Sequence, residues 1–189
     1  MSRSVQLVLV CEDTQHEAFA RRFLEKSGWS TRRLRVEKAP RGRGSAAQFV
    51  RERFPIELSA YRSNRNRVAQ CLVVILDGDN QGITGRLNEL ARVCQAQDIM
   101  PRERDEHVAI IVPTWNIETW FAYLDGTNVD EGKSDYPRLD RPRDCQHHVE
   151  KIHAMCQQGA LRQPAPASLE AACEEYRARL PHDGPMASP

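Results

Sequence analysis

The chain lacks several signatures that would place it quickly. No apolar run approaches the length of a membrane span, so a helix-spanning membrane protein is not expected. The opening "MSRSVQLVLVCEDT" reaches acidic residues too early for a secretory signal. Six cysteines stand at 11, 71, 94, 145, 156 and 173, yet no two form a C-x-x-C pair. Several fall inside apolar strand-like or helix-like patterns, which points to reduced structural thiols in a cytoplasm. There is no G-x-x-x-x-G-K-[ST] loop, so any ATP hydrolysis has to come from another chain. Internal repeats are also absent. Lysine is scarce: four of the 27 basic residues, the rest being arginine.

What is present is the composition of one globular domain with a sizeable core. The chain has 189 residues, 40% hydrophobic and 28% charged. Its net charge of +1 conceals an asymmetry. Between Ser30 and Arg67 eleven Lys or Arg face three Glu, which leaves that segment near +8 and the remainder near −7. Such clustering suits a phosphate-rich partner, since the guanidinium fork matches phosphate oxygens.

Short solid apolar runs alternate with amphipathic stretches. Strands are expected at Val5–Cys11, around Leu34 and Val36, at Val68–Leu76 and at His107–Val112. Helices are expected from Thr14, where Thr14 and Glu17 form a capping box, and from Ser45, where Ser45 pairs with Gln48. The second should run to about Tyr61, with Pro55 kinking or splitting it. Further helices fit "GITGRLNELARVCQA" and "NIETWFAYL". This order implies an α/β, Rossmann-like sandwich: a mainly parallel sheet of about four strands with helices on both faces. The core spans residues 1–125. A polar loop and helices at about 143–158 and 166–180 make residues 126–181 a helical extension packed on it, and 182–189 reads as a flexible tail.

Acidic residues gather where such a sheet binds ligands, just beyond the carboxyl ends of its strands. Glu12 follows the first strand, Asp77 and Asp79 follow the third in "ILDGD", and Glu118 lies just past the fourth. Each has an ordinary use as well, in a helix cap, a solvated turn or a helix first turn. Together on one mouth they repel unless a hard divalent ion sits among them, and an all-oxygen set suits Mg2+ or Mn2+. Arg41 and Arg43 flank glycines before the Ser45 helix start, and Arg62, Arg65 and Arg67 extend a candidate nucleic-acid track. Asp13 and His16 are accessory candidates, although His16 reads more simply as a solvated helix histidine. Trp115 and Trp120 are candidates for base stacking, with burial the simpler use for Trp120. "CQHHVEKIHAMC" holds Cys145, His147, His148, His153 and Cys156. On a helix Cys145, Val149, Ile152 and Cys156 form a core stripe, His147 points elsewhere, and zinc-finger spacing is absent.

These residues resemble a known family. A Glu after strand one and D-x-D after strand three is similar to the Toprim domain of topoisomerases, primases and related nucleases. "CEDTQHEAF" resembles the E-G-x-T-E-x-x-F stretch of small Toprim-like nucleases, and "PTWNIETWFAYL" their P-x-x-x-I-E-x-W-L-L helix. "PRLDRPRDCQHHVEKI" echoes the turn and helix that follow. These families are related to the overcoming-lysogenisation-defect (OLD) nucleases, many of them bacterial phage-defence components. Asp13 stands where the family has Gly, and Gln15 and His16 replace its Thr-Glu.

The resemblance implies a Mg2+- or Mn2+-dependent phosphodiester hydrolase. Asp77 and Asp79 would be metal ligands, Glu12 a ligand or general acid/base, and Glu118 the holder of a second ion or water. Nothing here is similar to a topoisomerase tyrosine domain or a primase zinc module. Partners consistent with this reading are DNA or RNA, an ATPase encoded nearby and a second copy of the chain, with no membrane. The departures at Asp13, Gln15 and His16 motivate an alternative, a non-catalytic Toprim-fold module that binds nucleic acid or a partner ATPase. A receiver-like phosphotransfer domain is a third reading, but it needs a lysine at a strand end and finds none.

Overall fold

A computed structural model describes residues 5–40, 42, 45–67 and 69–180. Arg41, Arg43 and the tail at 182–189 lie outside the described residues. Four strands, β1 (Gln6–Cys11), β2 (Arg35–Lys38), β3 (Gln70–Ile75) and β4 (Val108–Ile111), form an all-parallel sheet in the order β2-β1-β3-β4. The helices are α1 (Thr14–Lys26), α2 (Ala46–Asn64), α3 (Gly82–Gln95), α4 (Glu118–Leu124), α5 (Gln146–Gln158) and α6 (Ala167–Arg179).

Side chains alternate across each strand, and here both faces are apolar, so both must be covered. Leu7, Leu9, Cys71, Val73 and Ala109 pack in one cluster with residues of α1, α4, α5 and α6. Val8, Val10, Leu72, Val74 and Ile110 pack in a second with α2 and α3. The C-terminal helices therefore complete the first layer. Cys145, Val149, Ile152 and Cys156 are buried as the expected stripe, and Trp120 is buried with its indole N–H donating to Ser168 Oγ at 2.8 Å.

The sheet edges are protected differently. β2 is half-exposed along its length and carries Arg35, Glu37 and Lys38, charges that discourage pairing with another chain. At β4 the outward backbone is taken by side chains: Ile110 N–H donates to Glu175 Oε1 at 3.0 Å, and Val108 C=O accepts from Arg102 at 2.8 Å.

Three local expectations need correction. The N-cap of α1 is Asp13, whose Oδ1 accepts from His16 N–H at 2.8 Å. Glu17 does not reach back to form a capping box; it pairs with Lys38 at 2.6 Å and Arg21 at 3.4 Å. α2 runs unbroken through Pro55 to Asn64. Cys11, Cys71, Cys94 and Cys145 are buried free thiols, but Cys156 and Cys173 are joined in a disulfide. α5 and α6 bring their Cα atoms to 5.4 Å, the normal span of such a bridge.

Candidate functional site

Register decides which acids meet. β1 and β3 pair in parallel with Cys11 opposite Ile75, so both chains leave the sheet at the same edge. Glu12 then lies beside Asp77, and its Oε1 accepts from Asp77 N–H at 2.9 Å. The turn that follows is pinned to the loop beyond β4. Gly78 N–H donates to Pro113 C=O at 2.7 Å, and Asp79 N–H to Trp115 C=O at 3.1 Å. A Cβ on residue 78 would stand 2.9 Å from that Pro113 oxygen, which is why the D-G-D stretch needs its glycine. Asp79 itself sits at φ 46°, a left-handed conformation that aspartate tolerates better than most residues. The pinned loop leads directly into α4, whose first residue is Glu118.

His16 belongs to this group. It is fully buried rather than solvated, because it shares the core-facing side of α1 with Phe19 and Ala20. Its Nε2 lies 3.0 Å from Asp77 Oδ1.

The electrostatics follow from burial and from these neighbours. Burial raises the Glu12 carboxyl to about 7; the charges of Asp77 and Asp79 add to this, while His16 and the Asp77 N–H act against it. Burial works the other way on His16, but the charge and hydrogen bond of Asp77, with Asp13 and Glu12 behind it, lift the imidazolium to about 9. Glu118 is held above the usual carboxylate range by burial and by Asp77, with Arg138 and His16 opposing. Arg138 Nε stands 3.6 Å from Glu118 Oε1.

Arg86 and Arg138 are residues of this site that sequence reasoning missed. Arg86 lies on α3. Its buried guanidinium donates to Asp77 C=O at 2.9 Å and Glu89 Oε2 at 2.8 Å, and pairs with Asp79 Oδ2. A basic residue on the apolar stripe of α3, between Ile83 and Leu90, was the available signal. Arg138 lies in the loop after α4, where nothing in the sequence marked it.

One oxygen each of Glu12, Asp77 and Asp79 is thus held by the protein. The partner oxygens, Glu12 Oε2, Asp77 Oδ2 and Asp79 Oδ1, accept from no described residue. Among the described residues, no three of Glu12, His16, Asp77, Asp79 and Glu118 bring ligand atoms within 4.8 Å of one another. Beside Glu12 opens a cleft of about 220 Å³ lined by Asp13, Thr14, Lys38, Ala39, Pro40, Gly42 and Ala46.

The remaining candidates have other duties. The side chain of Asp13, next to Glu12, caps α1. Arg62 is held by Glu106 at 2.6 Å and by the carbonyls of Met100 and Pro101 at 2.7 and 3.0 Å. Arg65 reaches the same Glu106 at 3.9 Å. Arg62, Arg65 and Arg67 lie at the C-terminal end of α2, which is about 28 Å long at the helical rise. Its N-terminus, at Ala46, borders the cleft beside Glu12, so these arginines form no track with the acids. The backbone of Trp115 serves the Asp79 turn.

No family model matches the chain, and no curated protein or solved structure is significantly similar to it.

Proposed function

We propose that this chain is a metal-dependent Toprim-type nuclease, or the nuclease subunit of a larger assembly, that hydrolyses phosphodiester bonds in DNA or RNA. One observation carries the reading: Glu12, Asp77, Asp79 and Glu118 follow three adjacent parallel strands on the same side of the sheet, near enough for Asp77 to act on the charge of Glu12 and Glu118, and three of them keep an oxygen uncommitted. The donors are oxygens on acidic side chains, which fits Mg2+ or Mn2+. Such an ion, when bound, neutralises phosphate charge and makes water a better nucleophile.

The chain's own residues have separable roles. Asp77 and Asp79 would hold the ion through the oxygens that His16 and Arg86 leave free. Glu12, anchored by the Asp77 N–H, presents Oε2 for ligation or for moving a proton. Glu118 would orient water or a second ion, and the exposed Arg138 beside it faces the approach of an anionic substrate. His16 acts by positioning Asp77. The cleft between Glu12 and Lys38 offers room for a phosphodiester segment. A cytoplasmic role in bacterial anti-phage defence, alongside a partner ATPase, follows from the family resemblance alone.

One observation favours the second reading, a non-catalytic module binding nucleic acid or an ATPase. Arg86 and His16 already supply positive partners to Asp79 and Asp77. Incubating the purified protein with supercoiled plasmid and with RNA, in Mg2+, Mn2+ or EDTA, separates the two. The nuclease reading expects cutting that EDTA stops and that Asp77→Asn removes. No cutting by the wild type with either ion, even with the products of its neighbouring genes present, leaves the module reading.

A further inference from the structure

A different cluster lies where α4 hands over to α5. Asp125 ends α4, its N–H donating to Phe121 C=O, and α5 opens with the pair His147 and His148. Asp125 Oδ1 lies 3.1 Å from His147 Nε2, and Oδ2 lies 3.0 Å from His148 Nε2. One ligand atom from each residue falls within a 4.8 Å group, the one such group of His, Cys, Asp or Glu among the described residues. We propose that Asp125, His147 and His148 form a binding site for a first-row transition ion of the Zn2+ type.

Three physical features support this. Both rings turn Nε2 toward the same carboxylate with their centroids 3.7 Å apart, so three donor side chains converge within 4.8 Å. The donor set is two imidazole nitrogens and one carboxylate, which suits Zn2+, Co2+ or Ni2+ and not Mg2+. Half the site is rigid and half is open. His148 is completely buried against the Phe121 ring, 4.6 Å between centroids, so its imidazole cannot swing away. The side chains of His147 and Asp125 are about half exposed, at 53% and 50%, which gives an ion entry and room for water ligands.

Lys151 stands 3.7 Å from Asp125 Oδ1 while its Nζ donates to Leu124 C=O at 2.8 Å, so the two rings are the nearest partners of the carboxylate. Sequence spacing missed the site because its third ligand comes from outside the Cys-His segment, twenty-two residues upstream of His147. Bound there, the ion would tie the end of α4 to the start of α5. Glu118 sits at the other end of α4, about 10 Å away along the helix. The site therefore stands independently of the nuclease reading.

Calorimetric titration of Zn2+ into chelator-stripped full-length protein tests the proposal, with Mg2+ as the contrasting ion. The expected result is a Zn2+-binding event that survives in Asp77→Asn and weakens at least about tenfold in His147→Gln and in Asp125→Asn. It should tighten in Lys151→Met, which removes the competing ammonium. Zn2+ should also raise the thermal midpoint of the wild type more than that of His147→Gln. His147 is half exposed, so its replacement leaves the core intact. Absence of Zn2+ binding, or binding indifferent to His147→Gln, would overturn the assignment.

Discussion

Glu12 and Glu106 are both buried or half-buried carboxylates at strand ends, one just past the C-terminal end of β1 and one just before the N-terminal end of β4, and the protein treats them oppositely. Burial raises both. At Glu106 it is overcome by the fork of Arg62, by the Glu103 N–H and by the charges of Arg62 and Arg65, so the carboxyl falls below its usual range. At Glu12 the neighbours are mostly acids, and the carboxyl climbs to about 7. Glu57, held by Arg35 and Arg53, follows Glu106. The difference separates acids that hold the fold together from acids kept under strain of charge, and the second kind is where ligand chemistry is expected.

The comparison breaks first if the mouth is not chemical. Asp77→Asn should reduce metal-dependent cleavage roughly thousandfold with little change in thermal midpoint; a variant that cuts normally contradicts the assigned role. Glu106→Gln should do the reverse. It should lower stability by about 2 kcal/mol in urea denaturation and leave the cleavage rate unchanged, the figure being modest because Arg62 and Arg65 reach solvent.

Acid sharpens the same contrast. Glu57 and Glu106 have folded-state values below their ordinary 4.5. Their contribution to stability is complete above that value and drains away as pH falls through the lower folded values. Urea midpoints measured from about pH 5 down to about pH 3 should fall, and fall less when both are replaced by Gln. The smallest effect belongs to Arg65→Ala with Arg67→Ala. At the far end of α2 from Glu12, the pair should leave nucleic-acid affinity within about twofold of wild type; a larger loss measured by fluorescence anisotropy would restore them as contacts.

The strands and helices were legible because parallel strands buried on both faces are continuous apolar runs, as "LVLVC" and "CLVVIL" are. Placing Glu12 beside Asp77 was legible too, since strands one and three of this connectivity are neighbours. The environment of each acid was not. Only packing shows that His16 turns inward against Asp77, or that Arg86 crosses from α3 to the D-G-D turn. The basic stretch misled for a related reason. Its charges are contiguous in sequence, but α2 carries Arg62 and its neighbours to the opposite end of the sheet, where Glu106 waits for them.

The account stands on the capacity of the mouth formed by Glu12, Asp77 and Asp79 to take up a hard divalent ion. Calorimetry with Mn2+ on the wild type and on Asp77→Asn, both in the His147→Gln background to silence the second cluster, measures this directly. Saturable Mn2+ binding that disappears with Asp77→Asn is the predicted result. A flat titration of the parent, with and without an oligonucleotide, would contradict it.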